Sequence, residues 1–214
     1  MSIHHHPSEA LLIDYASGAI DQARALVIAS HVHACGHCRG QVRLAEGAGG
    51  ALMDDLAPAT LSESALDRAL AALDVPEPPP VATSRAMAPA DWIATPPEVA
   101  DALRRKRWVA PGVWVAPVLD RREGAPLSYL LRVGAGMRMP EHTHHGSELT
   151  LILKGAFVDG ETRYEAGDLA EVDDTVEHSP HITAEGECVC LVACDNPLIV
   201  GGVIARLVQA YARI

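Results

Sequence analysis

The sequence predicts an α+β chain in two parts, a small helical N-terminal unit followed by a β-barrel or double-sheet jelly roll. Three observations carry this. Residues 1 to about 75 place apolar side chains at helical spacing between Ser, Asp and Gly punctuation. Seven prolines then crowd residues 76–97. Beyond them the apolar pattern switches to short alternating runs separated by turn residues. The expected division is 1–75 helical, 76–97 linker and 98–214 barrel.

A first helix is expected over Glu9–Ala16, opened by Ser8 and ended by Gly18. Asp21 caps a second, which carries Ala25, Leu26, Ile28 and Ala29 towards His31. A third is expected from about His37 to Leu56, interrupted at Gly47, Gly49 and Gly50. A fourth opens at Thr60 or Ser62 and has Leu66, Ala69, Leu70 and Leu73 along one stripe. Proline fixes φ and removes an amide donor, so the 76–97 segment should be extended and let its neighbours move independently. Trp92 is placed to anchor its far end on the second unit.

Strands are expected at Trp108–Val109, Gly112–Val118 and Leu127–Val133, then around residues 142–153. Further strands follow at Thr162–Tyr164, Leu169–Val172, His178–Thr183 and Cys188–Ala193. The apolar tail, 197–214, is expected to pack back on the barrel.

The formal charge of −11 argues against nucleic-acid binding, which needs clustered Lys and Arg; basic protein surfaces suit this chain better. No run approaches the ~20 apolar residues of a membrane helix. Histidines stand where a signal peptide would have lysine or arginine before an apolar run, so a cytoplasmic protein is expected. Five cysteines in that compartment point to metal or redox chemistry, not structural disulfides.

Two constellations carry the chemistry. The first is His31-x3-Cys35-x2-Cys38. Positions four apart share a helix face, and a Cys-x-x-Cys turn aims two thiolates at one ion, so a tetrahedral zinc site is expected. His6, beside the first helix, is the best upstream choice for the fourth ligand, ahead of His4 and His5. His33 and His37 are alternatives to His31, and a redox Cys-x-x-Cys is disfavoured because no βαβ pattern surrounds it.

The second is Gly136-x5-His142-x-His144-x3-Glu148-x6-Gly155. Residues two apart on a strand point to one side, so His142 and His144 can meet at one point. A turn at 145–147 can fold Glu148 back towards them, and His178, after the Gly167-Asp168 turn, is the fourth candidate. Such donors suit zinc or another divalent transition metal. Cys188, Cys190 and Cys194 share a strand face and read as small core residues or as a thiol sensor. Strand neighbours are expected to lie too far apart for an unstrained disulfide.

The second spacing matches the first motif of the cupin superfamily at both glycines, both histidines and the glutamate. The two constellations together resemble the ChrR-type zinc anti-sigma factors of bacteria, helped by the text Leu11-Leu12-Ile13-Asp14-Tyr15-Ala16-Ser17-Gly18 and by Cys188-Val189-Cys190. The resemblance spans essentially the whole chain. It implies a non-enzymatic regulator that binds an extracytoplasmic-function (group IV) sigma factor, blocks it from RNA polymerase and releases it on oxidative stress such as singlet oxygen. In that family the barrel is needed for the response. It also implies His6, His31, Cys35 and Cys38 on one metal, and His142, His144, Glu148 and His178 on the other. Leu66, Leu70 and Leu73 are candidates for the docking surface, the alternative being that they pack inside the bundle. The rival is a metal-dependent cupin dioxygenase or isomerase with an accessory zinc domain.

Overall fold

A computed structural model of the protein describes residues 2–75, 88–119, 125–143 and 146–196, and the backbone of 199–200. Helix α1 (Glu9–Ser17) opens where the Ser8 hydroxyl accepts the Leu11 N–H, and closes at Gly18, whose φ of 73° suits glycine. Helix α2 (Gln22–Ala34) is capped by Asp21, which accepts the Ala23 and Arg24 N–H groups at 2.9 and 3.0 Å. Helix α3 (Gly36–Asp54) follows at once, with only the extended Cys35 between them. It is continuous through Gly47, Gly49 and Gly50, against the expected interruption. Each glycine costs about 1 kcal/mol against alanine, but it keeps ordinary helical dihedrals and the packing of α3 on α1 offsets the cost. Helix α4 (Ala65–Leu73) starts later than expected because Ser62 and Ser64 both accept from the Arg68 guanidinium and neither caps the helix through its side chain.

A short helix α5 (Pro97–Asp101) and a 3-10 turn at Ala102–Arg105 lead into the strands. These are β1 (Arg107–Ala110), β2 (Val113–Pro117), β3 (Leu127–Val133), β4 (His142–Thr143), β5 (Glu148–Lys154) and β6 (Ala156–Asp159). Then come β7 (Thr162–Glu165), β8 (Leu169–Val172), β9 (His181–Ile182), β10 (Cys188–Cys194) and β11 (Ile199–Val200). The main sheet is antiparallel in the order β1-β2-β3-β10-β5-β8; β7-β6-β9 form the facing sheet, and β11 pairs with β4. The tail thus returns to the barrel at β11, beside His142. Residues 201–214 lie outside the described residues.

The main sheet is buried on both faces. Along β5, Glu148 and Ile152 face the barrel interior with Tyr129, Cys190 and Val192, whereas Leu149, Leu151 and Leu153 face outwards. The outward set, with Leu130, Leu191 and Ala193, forms one core with Val27, Ile28, Cys38 and Val42 of the helices. A strand buried on both faces reads as a continuous apolar run, which is why β10 is buried at every position. The helical unit therefore packs on the barrel, where the prolines had suggested separation; α2 lies across β10, β5 and β3. Of the linker, residues 76–87 lie outside the described residues. Its far end is anchored as expected: Trp92 packs on the shared core, buried Ile93 donates its N–H to the Leu153 carbonyl at 2.9 Å, and Asp91 pairs with Lys154 at 2.6 Å.

Gly155 turns β5 into β6 with a φ of 78°, and a Cβ there would lie 2.1 Å from the Glu187 carbonyl oxygen. Gly155→Ala is expected to destabilise the fold by about 2–4 kcal/mol in urea unfolding, combining left-handed strain with a backbone clash. An unchanged midpoint would refute this.

Candidate metal centres

The corner between α2 and α3 builds the first centre. His31 lies in the last turn of α2, Cys35 at the junction and Cys38 in the first turn of α3, so all three side chains converge. His6 arrives from the extended segment before α1. Ligand atoms of His6, His31, Cys35 and Cys38 lie within 4.8 Å of one another, a group that can hold a metal ion. Individual separations are 3.5 Å from His6 Nδ1 to His31 Nε2, 3.3 Å from His31 Nε2 to Cys38 Sγ, and 3.5 and 3.4 Å from His6 Nδ1 to the Cys35 and Cys38 sulfurs. Metal–nitrogen and metal–sulfur bonds of ~2.05 and ~2.3 Å in a tetrahedron give edges of about 3.3–3.8 Å, so these donors fit one ion without rearrangement. The sequence alternatives His33 and His37 are not among the four, although the His37 ring packs 5.1 Å from that of His6.

Three of the four donors are enclosed, and His6 closes the site from the exposed side. His31 and Cys38 are fully buried and Cys35 nearly so. Burial, helped by the neighbouring His6, lowers His31 to about 4, so its imidazole is neutral. Burial and the Cys35 thiol push Cys38 up to about 12. The Nδ1–H of His31 donates to the Gly167 carbonyl at 3.0 Å, which leaves Nε2 as the basic nitrogen facing the sulfurs. The enclosed site thus resists charge in its own groups, and a divalent cation offsets two thiolates.

In the barrel, His142, Glu148 and His178 line one cavity of about 60 Å³; His144 lies outside the described residues. His142 and His178 form a two-way backbone bridge at 3.1 Å, with ring centroids 4.4 Å apart. Each ring is oriented at Nδ1: His142 donates to the Pro140 carbonyl at 2.8 Å and His178 to Asp159 at 2.7 Å. Both therefore present Nε2 as the basic nitrogen. Glu148 is buried, accepts from the Thr150 hydroxyl at 3.1 Å and is pushed up to about 7 by desolvation. Apolar residues make up most of the rest of the wall, including Leu131, Phe157 and Val192. Cys188 and Cys190 also line it, with sulfurs 3.6 Å apart, closer than strand geometry suggested.

A family model described as the ChrR cupin-like domain matches residues 89–196. The anti-sigma-E factor ChrR of Cereibacter sphaeroides is 38% identical over 219 residues, covering 100% of both chains. This chain belongs to the ChrR family. Its structure is similar to that of ChrR in the crystal structure of Rhodobacter sphaeroides SigE in complex with the anti-sigma ChrR, with a TM-score of 0.74 and 36% identity over 91% of this chain and 100% of that one. The family is one of regulators, not enzymes.

Sequence reasoning missed the supporting residues. Asp159 sits in an Asp-Gly turn between β6 and β7, and β6 was not expected as a strand. Gly167 and Asp168 were read only as a turn, yet they touch the helical unit. Arg24 carries no local signal in the sequence.

Ligation must displace the Cys38 proton, whereas His31 stays neutral above about pH 5 and does not compete. Zinc affinity of the metal-free chain is therefore expected to rise at least about tenfold per pH unit from pH 6 to 8, with proton release in calorimetry. A pH-independent affinity would contradict the cluster as ligand set.

Proposed function

We propose that this chain is a cytoplasmic anti-sigma factor that binds and inhibits an extracytoplasmic-function (group IV) sigma factor and releases it on oxidative stress such as singlet oxygen. In this reading His6, His31, Cys35 and Cys38 hold zinc. His142, His144, Glu148 and His178 hold zinc or another divalent transition metal in the barrel, which the response requires.

The carrying observation is the apolar surface that the helical unit leaves open. A groove of about 820 Å³ runs between α1 and α3, lined by Leu12, Ile13, Leu44, Leu52 and Met53, with Ala48, Gly49 and Gly50 among the small residues of its wall. Leu44 and Leu52 are 70% and 72% exposed. Helix α4 buries no side chain, and Leu66, Leu70 and Leu73 stand 68%, 54% and 80% exposed, so they do not pack inside the bundle. A nine-residue helix is marginal alone in water, and an exposed apolar stripe of this kind fits a partner helix. The ChrR relative is solved in complex with SigE. A net charge of −11 suits a basic partner face.

The oxidant reading rests on the cavity. It is small and largely apolar, and the Cys188 contact with burial holds the Cys190 thiol well above its ordinary range. Protonated thiols react slowly with oxidants that need a thiolate. A small uncharged species that enters apolar space suits this wall better. The enzyme alternative has less support: about 60 Å³ among the described residues compares with ~300–1,000 Å³ for small-molecule sites.

Leu44→Asp and Leu70→Asp should each weaken sigma binding about 30-fold or more in a titration, while the melting temperature stays unchanged because both side chains are exposed. Wild-type affinity in both would sink the groove reading. The Cys35→Ser, Cys38→Ser double variant is expected to lose zinc and sigma binding together. Tight sigma binding by the metal-free variant would contradict the role given to the cluster.

A further inference from the structure

The helical unit and the barrel meet at both candidate centres, and each contributes to the other's surroundings. On the barrel side, the turn between β7 and β8 reaches into the helical centre. Its Gly167 carbonyl accepts the His31 Nδ1–H. The next residue, Asp168, is 1% exposed and directs one carboxylate oxygen at the His4 and His5 N–H groups, 2.7 and 3.0 Å away. Its other oxygen accepts the Glu165 N–H at 2.9 Å and lies 3.2 Å from His5 Nδ1. Leu169 donates its N–H to the His5 carbonyl at 3.1 Å. These bonds fix the two residues immediately before the ligand candidate His6. The turn is itself tied to β5, since Gly167 donates to the Ile152 carbonyl at 2.8 Å and the Asp168 carbonyl accepts the Ile152 N–H at 3.0 Å.

On the helical side, Arg24 of α2 reaches into the barrel. Its Nη2 donates to the Ser147 hydroxyl at 2.6 Å and to Asp195 at 2.5 Å, while Nη1 is held by Asp21 at 2.6 Å. Asp195 in turn accepts the Ser147 N–H at 2.8 Å and donates its own N–H to the Ser147 carbonyl at 3.2 Å. The approach is close because Gly146 has no side chain; a Cβ there would stand 2.3 Å from the Asp195 carboxylate. Ser147 immediately precedes Glu148, the carboxylate at the barrel cavity.

We propose that the two centres brace each other: Asp168 of the barrel is a positioning residue for the helical metal site, and Arg24 of α2 is a positioning residue for the barrel site. This rests on both centres holding metal, as in the function proposed above. Neither residue offers a ligand atom to the cluster of the other unit; each fixes the backbone that carries a ligand. Supporting groups of this kind commonly set metal affinity by 10–100-fold. The consequence is that each unit supports metal retention at the centre carried by the other unit, without a mobile linker between them.

The test uses the full chain loaded with cobalt and challenged with a chelator. Thiolate-to-cobalt absorption reports the helical centre alone, because the four barrel candidates include no cysteine. Total cobalt released reports both centres. Asp168→Asn keeps one acceptor oxygen but places an amide donor against the Glu165 N–H or the His4 and His5 N–H groups. It is expected to speed decay of the thiolate band about tenfold. Arg24→Gln is expected to leave that band at the wild-type rate and speed barrel cobalt release about tenfold. Arg24→Lys, which keeps the Asp195 charge but cannot fork to Ser147, is expected to fall between. Wild-type rates at both centres in folded variants would overturn the brace. So would equal acceleration at both centres with a lowered melting temperature, which is general loosening. Uptake of fewer than two cobalt ions by the unaltered chain would instead overturn the two-metal reading, and a sigma-binding failure would leave these rates interpretable.

Discussion

The bond from His31 Nδ1 to the Gly167 carbonyl is where the two halves of this molecule become one structure. It places a fully buried imidazole between a helix corner and a barrel turn, and it fixes which nitrogen faces the two sulfurs. A cluster of two imidazoles and two thiols, three of the four buried, offers little cohesion by itself, since burial holds His31 neutral and Cys38 protonated. A divalent ion changes that balance. Structural zinc contributes about 10–16 kcal/mol in small units at neutral pH, as much as the whole stability of a typical domain, ~5–15 kcal/mol. In the reading proposed above, ligation would therefore add substantially to the apolar packing that holds the helical unit on the sheet.

The helical unit leaves much apolar surface uncovered. Most of its buried side chains, such as Val27, Ile28 and Val42, go to the core shared with the outward face of the main sheet. Little remains to pack α3 beyond its first turns, and Leu44, Leu52, Met53 and Leu56 are exposed at about 70% or more. A free globular unit would gain by collapsing over such residues. Here the His6, His31, Cys35 and Cys38 corner lies at one end of α3 and the Gly18 turn follows α1, with an open groove between the two helices.

Local chemistry was legible in the sequence because it depends on residues close together in the chain. Ser8, Gly18 and Asp21 announced the helix ends, and all three act as such. The His31, Cys35 and Cys38 spacing specified a converging corner whatever lay around it, and His6 followed from proximity to α1. The alternating runs located most of the strands. What could not be read depends on distant partners. Leu149, Leu151 and Leu153 announced a strand face that had to be covered, but not that α2 would cover it. Prolines suggested separation, because linker composition says nothing about whether the flanking surfaces are complementary. Strand β6 was missed because Ala156–Asp159 is a short run ending in a turn, and its identity comes from pairing with β7 and β9. Asp159 and Arg24 carry no motif, since an orienting residue needs only reach and charge, and the Gly167-Asp168 turn gives no sign of its partners in the helical unit.

The position of the cluster in the chain links ligation to docking. His6 lies just before α1, and Cys38 in the first turn of α3, so one set of donors ties together the starts of the two helices whose facing sides form the groove. Along α1 the next contacts are Leu12, which is buried, and Ile13, which is exposed in the groove. Only Pro7 and Ser8 intervene between His6 and the start of α1, so the position of His6 bears closely on the spacing of α1 and α3. Pro7 has a fixed φ and is itself buried, so this connection has little slack. In the proposed reading, holding a metal and holding a partner helix in the groove are two demands on one interhelical distance, and the barrel turn at Gly167 and Asp168 would act on both through His31 and the backbone of His4 and His5.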